Sequence, residues 1–146
     1  MLGEEFLGVA ARLSASSREA DVRSSVSRAY YGAFHVAAQF LEDCGVRLPR
    51  SAAAHEKLRY CLQASGDGAV IGAANRLDSL RSARNRADYD LANSSFGSSA
   101  KAVLQLAIAQ AVVDEIAGFS DAPNNAALRS AIRSYASSVL RLPVSE

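Results

Sequence analysis

Apolar residues recur along most of this chain at helical spacing, and the pattern predicts six α-helices. No stretch shows the period-2 alternation of β-branched residues that is typical of strands. The predicted helices cover residues 3–13, 19–44, a segment after Ser51, and residues 70–91, 100–117 and 124–140. The sequence therefore predicts an all-α fold, with one domain spanning residues 1–146.

Turn-forming and capping residues separate these apolar patterns. Gly45 is expected to end the second helix as its C′ residue, and Ser51 to cap the third. A Gly66-Asp67-Gly68 turn precedes the fourth helix, and serines at the end of the 93–99 loop can cap the fifth. The sixth helix is expected to open at a Pro123-Asn124-Asn125 start signal.

The fifth predicted helix is apolar on nearly every side. Its apolar side chains point in most directions around the helix: Val103, Leu104, Leu106, Ile108, Val112, Val113 and Ile116. Such a helix is either central in its bundle or shared with a second subunit, and the pattern favours central burial. Gln105 and Gln110 interrupt its apolar stretch, which is too short for a bilayer, so no membrane association is expected.

Composition narrows the function classes. Hydrophobic residues make up 49% of the 146 residues, and the net charge is +1, so any contact with nucleic acid must come from a local cluster of basic residues. Cys44 and Cys61 have neither metal-ligand nor disulfide-framework spacing. Together with an acidic start that lacks the basic segment of a signal peptide, this predicts a cytoplasmic protein.

Two of the predicted helices carry polar stripes. On the second helix, Arg28, Tyr31 and His35 fall at i, i+3 and i+7. On the fourth helix, Arg81, Arg84 and Asp88 form a similar stripe. Asn85 and Tyr89 lie beside it. Residues at these spacings share one helix face, so a cleft or a buried polar network between the two helices is expected.

The stripes leave two interpretations open. In the structural one, Arg28 or Arg84 pairs with Asp88 and fixes helix register, because an unpaired buried charge is very costly. In the functional one, an arginine at a cleft presents its planar fork to a phosphate. Spacing alone does not decide between them.

The remaining polar features carry weaker signals. His35 and His55 lie on different helices without metal-ligand spacing, so neither a metal site nor a cofactor is expected. The sixth helix carries Arg129, Arg133 and Arg141, a modest basic face that is expected to be solvated.

Two segments resemble motifs of a known family. Residues 27–35, Ser-Arg-Ala-Tyr-Tyr-Gly-Ala-Phe-His, resemble the SRAYYAAFH signature of small prokaryotic HEPN proteins (higher eukaryotes and prokaryotes nucleotide-binding). Residues 80–90, Leu-Arg-Ser-Ala-Arg-Asn-Arg-Ala-Asp-Tyr-Asp, resemble the LR-x-x-R-x-x-ADYD element of the same proteins. His55 matches a histidine that these proteins often carry at the start of the intervening helix. The likeness covers residues 22–91.

The resemblance implies an antiparallel helical bundle that forms a homodimer around a composite cleft. It also implies RNA cleavage by the toxin of a toxin–antitoxin or antiphage defence system. Ribonucleases of this family use an Arg-x4–6-His motif without metal: the RNA 2′-OH attacks the adjacent phosphate and leaves a cyclic phosphate. In this chain Arg84 would contact the phosphate, and Asn85, Asp88 and Tyr89 would orient it. Arg28, Tyr31, His35 and Arg81 would face the same cleft.

The chain departs from the family motif at one position. Tyr89 stands where the motif has its histidine, and a phenol is a weak base at neutral pH. The alternative expectation is therefore a non-catalytic module that binds a nucleotide or a partner, such as a cognate antitoxin or the minimal nucleotidyltransferase often paired with HEPN proteins. In some such pairs the partner adenylylates a motif tyrosine, which makes Tyr89 a candidate acceptor. A structural helical adaptor is a third possibility.

Overall fold

The computed structural model describes residues 1–120 and 125–145, and within them the fold is all-α. The helices are α1 (Glu5–Ser14), α2 (Glu19–Asp43), α3 (Ala53–Gln63), α4 (Gly68–Tyr89), α5 (Ser99–Ser120) and α6 (Ala126–Ser138). A single 3-10 turn, Ser94–Phe96, precedes α5. The prediction of an all-α bundle of five to six helices is confirmed. The predicted start of the sixth helix, at Pro123 and Asn124, lies outside the described residues.

The chain divides into two compact units, each built from two stretches of sequence. The first unit comprises residues 1–36 and 76–113, and the second comprises residues 37–75 and 114–146. Three helices, α2, α4 and α5, contribute residues to both units. The single domain inferred from chain length stays a prediction.

Small residues let the helices of the first unit approach closely. Its buried core contains Val22 and Val26 from α2, Ala83 and Ala87 from α4, and additional apolar side chains at Phe96 and Ala102. Gly32 gives α1 room against α2, because a Cβ at this position would lie 2.7 Å from Leu7 Cδ2. A Cβ at Gly3 would likewise lie 2.5 Å from the Cβ of His35.

In the second unit, α2 ends in a Schellman motif centred on Gly45. The N–H of Gly45 donates to the carbonyl of Glu42, and the N–H of Val46 donates to the carbonyl of Leu41. Gly45 has φ of 88°, the left-handed conformation that glycine adopts without strain. The prediction that Gly45 ends the second helix is confirmed.

Three smaller sequence predictions have mixed outcomes. Ser51 does not cap α3, because the capping position is Ala52, which makes no side-chain bond. Gly68 is already helical, and Asp67 Oδ1 caps α4 by accepting from the N–H groups of Ala69 and Val70. The serine cap of α5 is confirmed, because Ser98 Oγ accepts from the N–H of Ala100 at 3.2 Å.

The end of the chain pairs with the segment after α2. Arg141 adopts the left-handed conformation, with φ of 57°, and Leu142 N–H donates to the Ala136 carbonyl. Val144 then forms an isolated antiparallel bridge with Val46. This return brings the end of α2 and the region after α6 together in the second unit.

The apolar helix α5 is not buried on all sides. Ala102, Ala109 and Val112 are buried, whereas Val103 and Leu104 are 54% and 56% exposed. The prediction of central burial is therefore wrong for the exposed side of α5. By length and composition alone this helix is also a candidate membrane span, although helices at protein cores and interfaces share these properties.

Candidate functional site

The two polar stripes meet within the first unit, where α2 and α4 run antiparallel. Arg23, near the start of α2, bonds to the carbonyl of Ala87 near the end of α4. Four residues further along α2, Ser27 Oγ donates to Asp88 Oδ2 at 3.2 Å. Tyr31, four residues beyond Ser27, lies against Arg84, four residues before Asp88, with 5.2 Å between the guanidinium carbon and the ring centre. The two helices are therefore antiparallel here, and the two stripes meet at these pairs.

Asp88 links the two helices and holds Arg84. Its Oδ2 atom accepts from Ser27 Oγ and, at 2.9 Å, from Arg84 Nε. Arg84 Nη1 donates in turn to Asn85 Oδ1 at 3.0 Å. The Arg84–Asp88 pairing predicted by the structural interpretation is present, but it lies within α4. Ser27, and not an arginine, carries the bond from Asp88 to α2.

Arginine side chains cover aromatic rings on this face. The guanidinium carbon of Arg84 lies 5.2 Å from the ring centre of Tyr31 and 5.5 Å from that of Tyr89. The guanidinium of Arg28 lies 5.4 Å from the Phe6 ring and 5.9 Å from the Tyr31 ring. These contacts hold both cations in place, and Arg84 is in addition paired with the Asp88 carboxylate. Arg28 has no carboxylate partner within residues 1–120 and 125–145, so its predicted pairing with Asp88 does not occur.

His35 sits at the other end of the same aromatic row. Its ring stacks on Phe6, with centroids 5.6 Å apart, and lies 6.2 Å from the Tyr31 ring. Partial burial among these rings lowers the pKa of His35 below its ordinary value of 6.5. The imidazole is therefore neutral at neutral pH and remains solvent-exposed, so it can accept a proton from a bound molecule.

We call these six side chains the arginine–aromatic cluster: Phe6, Arg28, Tyr31, His35, Arg84 and Tyr89. It combines two guanidinium groups, three aromatic rings and one neutral imidazole on neighbouring surfaces of α1, α2 and α4. Such a set of groups can hold an anion and a planar ring system at the same time.

Tyr89, in the cluster, and Tyr30, next to Tyr31 in the chain, have opposite environments. Tyr30 is only 2% exposed. Burial raises its pKa well above the ordinary value, while the charges of Arg81 and Arg84 act in the opposite direction. Tyr89 is 74% exposed. Tyr89 is thus the tyrosine whose hydroxyl an external reagent can reach, and Arg81 lies close enough to act on Tyr30 electrostatically.

Two residues of this region were missed in the sequence. Arg23 is 8% exposed, and its guanidinium donates to five backbone carbonyls at and beyond the end of α4. Its guanidinium carbon also lies 4.6 Å from the ring centre of Phe96. The second residue is Phe6, whose stacking on His35 has no sequence signal because the two residues lie on different helices.

Other candidate groups lie outside this cluster. His55 belongs to the second unit, near the start of α3. Among residues 1–120 and 125–145, no group of three or more His, Cys, Asp and Glu side chains is arranged to hold a metal ion.

Comparison with known proteins adds no relative. No protein-family model, curated protein or solved structure matches this chain significantly.

Proposed function

We propose that this chain acts on RNA through the arginine–aromatic cluster. The observation that carries the proposal is the packing of Arg28 and Arg84 against Tyr31, beside the neutral imidazole of His35. Guanidinium groups suit phosphate oxygens. Aromatic rings that are exposed, as at Tyr89, or partly exposed, as at Phe6 and Tyr31, suit unpaired bases. A single RNA strand supplies both kinds of group at every nucleotide.

The activity that best uses these groups is metal-independent RNA cleavage, in keeping with the HEPN resemblance. The 2′-oxygen forms a bond to the adjacent phosphorus, the bond to the 5′-oxygen breaks, and a 2′,3′-cyclic phosphate remains. His35 accepts the 2′-OH proton, and solvent water protonates the departing 5′-oxygen. Arg84 stabilises the charge that develops on the phosphoryl oxygens. Such a nuclease fits a toxin or an antiphage effector.

In this proposal Asp88 and Asn85 position Arg84 and do not contact the RNA themselves. Both accept hydrogen bonds from its guanidinium, at 2.9 Å and 3.0 Å. The Nη2 atom of Arg84 makes no hydrogen bond within the described part of the chain, so it remains available to a phosphate. Fixing the guanidinium in advance reduces the entropy lost when RNA binds.

The active form in this proposal is a homodimer. Exposed Val103 and Leu104 on α5 support self-association. A depression of about 670 Å³ between α1 and α5, lined mainly by apolar residues, supports it further. Sedimentation equilibrium of the wild type against V103E/L104E tests this part, because two carboxylates at an apolar interface should shift the population to monomer.

The central test measures cleavage of total RNA and of a structured tRNA by purified protein in EDTA. R84A is expected to abolish cleavage, because it removes the guanidinium that pairs with Asp88 and lies against the rings of Tyr31 and Tyr89. R86A is the matched control, since Arg86 is an exposed arginine on the same helix. Equal cleavage by wild type and R84A, with both folded, would refute the assignment.

A second candidate function rests on the exposure of Tyr89. In this version the cluster is a binding module, and a nucleotidyltransferase partner modifies Tyr89, whose side chain is 74% exposed. The Tyr89 hydroxyl would attack the α-phosphorus of ATP, form a phosphodiester with AMP and release pyrophosphate.

Intact mass spectrometry after co-expression with a minimal nucleotidyltransferase tests this candidate. A mass increase of one AMP group in the wild type and none in Y89F supports it. Y60F is the control, because Tyr60 lies on α3 outside the cluster. An AMP group that persists in Y89F would assign the modification to another residue.

A further inference from the structure

A second polar face lies on α6, in the second unit, and includes none of the arginine–aromatic cluster residues used above. Arg129, Ser130, Arg133, Ser134 and Ser137 line a shallow depression of about 570 Å³, together with Ala126 and Val144. The spacing of these five polar residues places them along one side of the helix. None of the residues that line this α6 face is acidic.

The two arginines of the α6 face are held by backbone carbonyls. Arg129 Nη1 donates to the carbonyl of Asp43 at 3.0 Å, and Arg133 Nη1 donates to the carbonyl of Cys44 at 2.9 Å. These acceptors belong to the last turn of α2 and the residue after it. The bonds orient both guanidinium groups without neutralising them, because a carbonyl carries no net charge.

Neither arginine is paired with the carboxylate of Asp43, the residue whose carbonyl holds Arg129. The Asp43 carboxylate accepts from Gln39 Nε2 at 3.0 Å. Within residues 1–120 and 125–145, neither Arg129 nor Arg133 forms an ion pair with a carboxylate. Two oriented, half-buried guanidinium groups therefore lie beside the exposed serine side chains at positions 130, 134 and 137.

This combination of donors is suited to phosphate oxygens. Arginine donates to them through a planar fork, and serine hydroxyls donate singly. Ser130 and Ser137 are about 10 Å apart along the helix axis, which is longer than one phosphate group. The length of the row favours a chain of phosphates over an isolated anion.

We infer that the α6 face binds the sugar–phosphate backbone of an RNA strand, outside the region that contacts the reacting phosphate. This inference rests on the proposed action on RNA and adds a second point of contact to it. Binding at a second phosphate-contacting surface would raise the overall affinity and its salt dependence without adding base specificity.

The test measures binding of a fluorescent single-stranded RNA with 2′-methoxy groups, which removes the nucleophile and prevents cleavage. S130E/S134E adds two carboxylates to the face while leaving the Arg129 and Arg133 bonds to α2 in place. S130Q/S134Q is the size-matched neutral control. Fluorescence anisotropy should give an affinity at least about 10-fold weaker for the Glu variant. Its slope of log Kd against log salt should be smaller by about 1.4, as for two lost single-strand phosphate contacts.

Several outcomes would overturn this inference. Equal RNA affinity for the Glu and Gln variants, with equal melting temperatures, would refute RNA binding by the α6 face. It would not affect the conclusion from the R84A cleavage test. Saturable binding of inorganic phosphate to the Gln variant but not to the Glu variant, with no difference in RNA affinity, assigns the face to a small anion. If the wild-type protein neither binds nor cleaves RNA, both the proposed function and this inference are refuted.

Discussion

Arg23 Nη1 donates a 2.9 Å hydrogen bond to the carbonyl oxygen of Ala87, and this bond ties α2 to the carboxyl end of α4. The same guanidinium reaches the carbonyls of Asp90, Leu91 and Asn93. A helix end and the loop after it leave carbonyl acceptors in need of donors, although the Asp90 carbonyl also accepts from the N–H of Asn93. A buried cation is stable here because it pairs with the Glu19 carboxylate at 2.8 Å and because the carboxyl end of a helix carries partial negative charge. Arg23 thereby fixes the segment that carries Asp88 and Tyr89.

Replacing Arg23 by alanine should destabilise the protein by about 3 kcal/mol. The change removes the arginine donor of the buried Ala87 carbonyl and of the part-buried Leu91 and Asn93 carbonyls, and it removes the contact with Phe96. Urea unfolding followed by circular dichroism measures the loss as a lower midpoint. Arg18 is exposed, so R18A should stay within about 0.5 kcal/mol of wild type. Similar midpoints for R23A and R18A would contradict this account of Arg23.

Replacing Asp88 by asparagine should lower kcat for RNA cleavage about 10-fold without raising KM. The variant keeps an acceptor for Ser27 but weakens the charge-assisted bond that orients Arg84. Removal of a negative charge also favours RNA binding in general, so KM should be unchanged or lower. D90N is the control, because it removes a neighbouring exposed carboxylate with the same charge change. Equal loss of kcat in both variants would show that charge, and not the position of Arg84, matters.

The pH profile of cleavage should report His35. A base must be neutral to accept the 2′-OH proton, so kcat/KM should fall as the pH drops through the pKa of His35. Burial lowers this pKa below 6.5, so the half-maximal point should lie below pH 6.5 and the rate should level off above it. H35Q should lose most of the rate and this acidic limb. An unchanged acidic limb in H35Q would identify a different base.

Replacing Gly45 by alanine should cost about 2 kcal/mol or more in stability. The backbone there has φ of 88°, and an added Cβ would lie 2.5 Å from the Ser145 carbonyl oxygen and 2.6 Å from Arg133 Nη1. Gly66 is the matched control, since it has φ of 74° but nothing within 4 Å of an added Cβ. G66A should therefore show only the conformational strain, about 1 kcal/mol. Thermal unfolding of the two variants measures the difference, and equal losses would exclude the steric contribution.

The extent to which the helices could be predicted differs between their interiors and their ends. Periodicity locates α2 and α4 because burying one face requires apolar residues at helical spacing. Gly45 was identifiable because few other residues tolerate the left-handed conformation. Ser51 was expected to cap α3, and the structure does not form this cap. A serine can cap only at the position directly before the first helical residue, and that position is occupied by Ala52.

The arginine–aromatic cluster was only half visible in the sequence. The stripes with Arg28 and Arg84 follow from spacing within single helices. Spacing does not show which residue pairs with Asp88, because a bond within α4 and a bond across to α2 satisfy the same carboxylate. Phe6 and Arg23 act through partners on other helices or on the backbone. Neither kind of partner can be predicted from the residues nearby in the sequence.

The sequence by itself determined the helical class, most helix positions and the polar stripes, because these depend on interactions between residues a few positions apart. Tertiary structure decided that Ser27 joins Asp88, that Arg23 caps α4, and that Val103 and Leu104 stay exposed. Those outcomes depend on which helix faces meet. Many pairings of apolar faces bury similar areas, and the close approach permitted by Gly3, Gly32 and the core alanines favours the pairing that is observed.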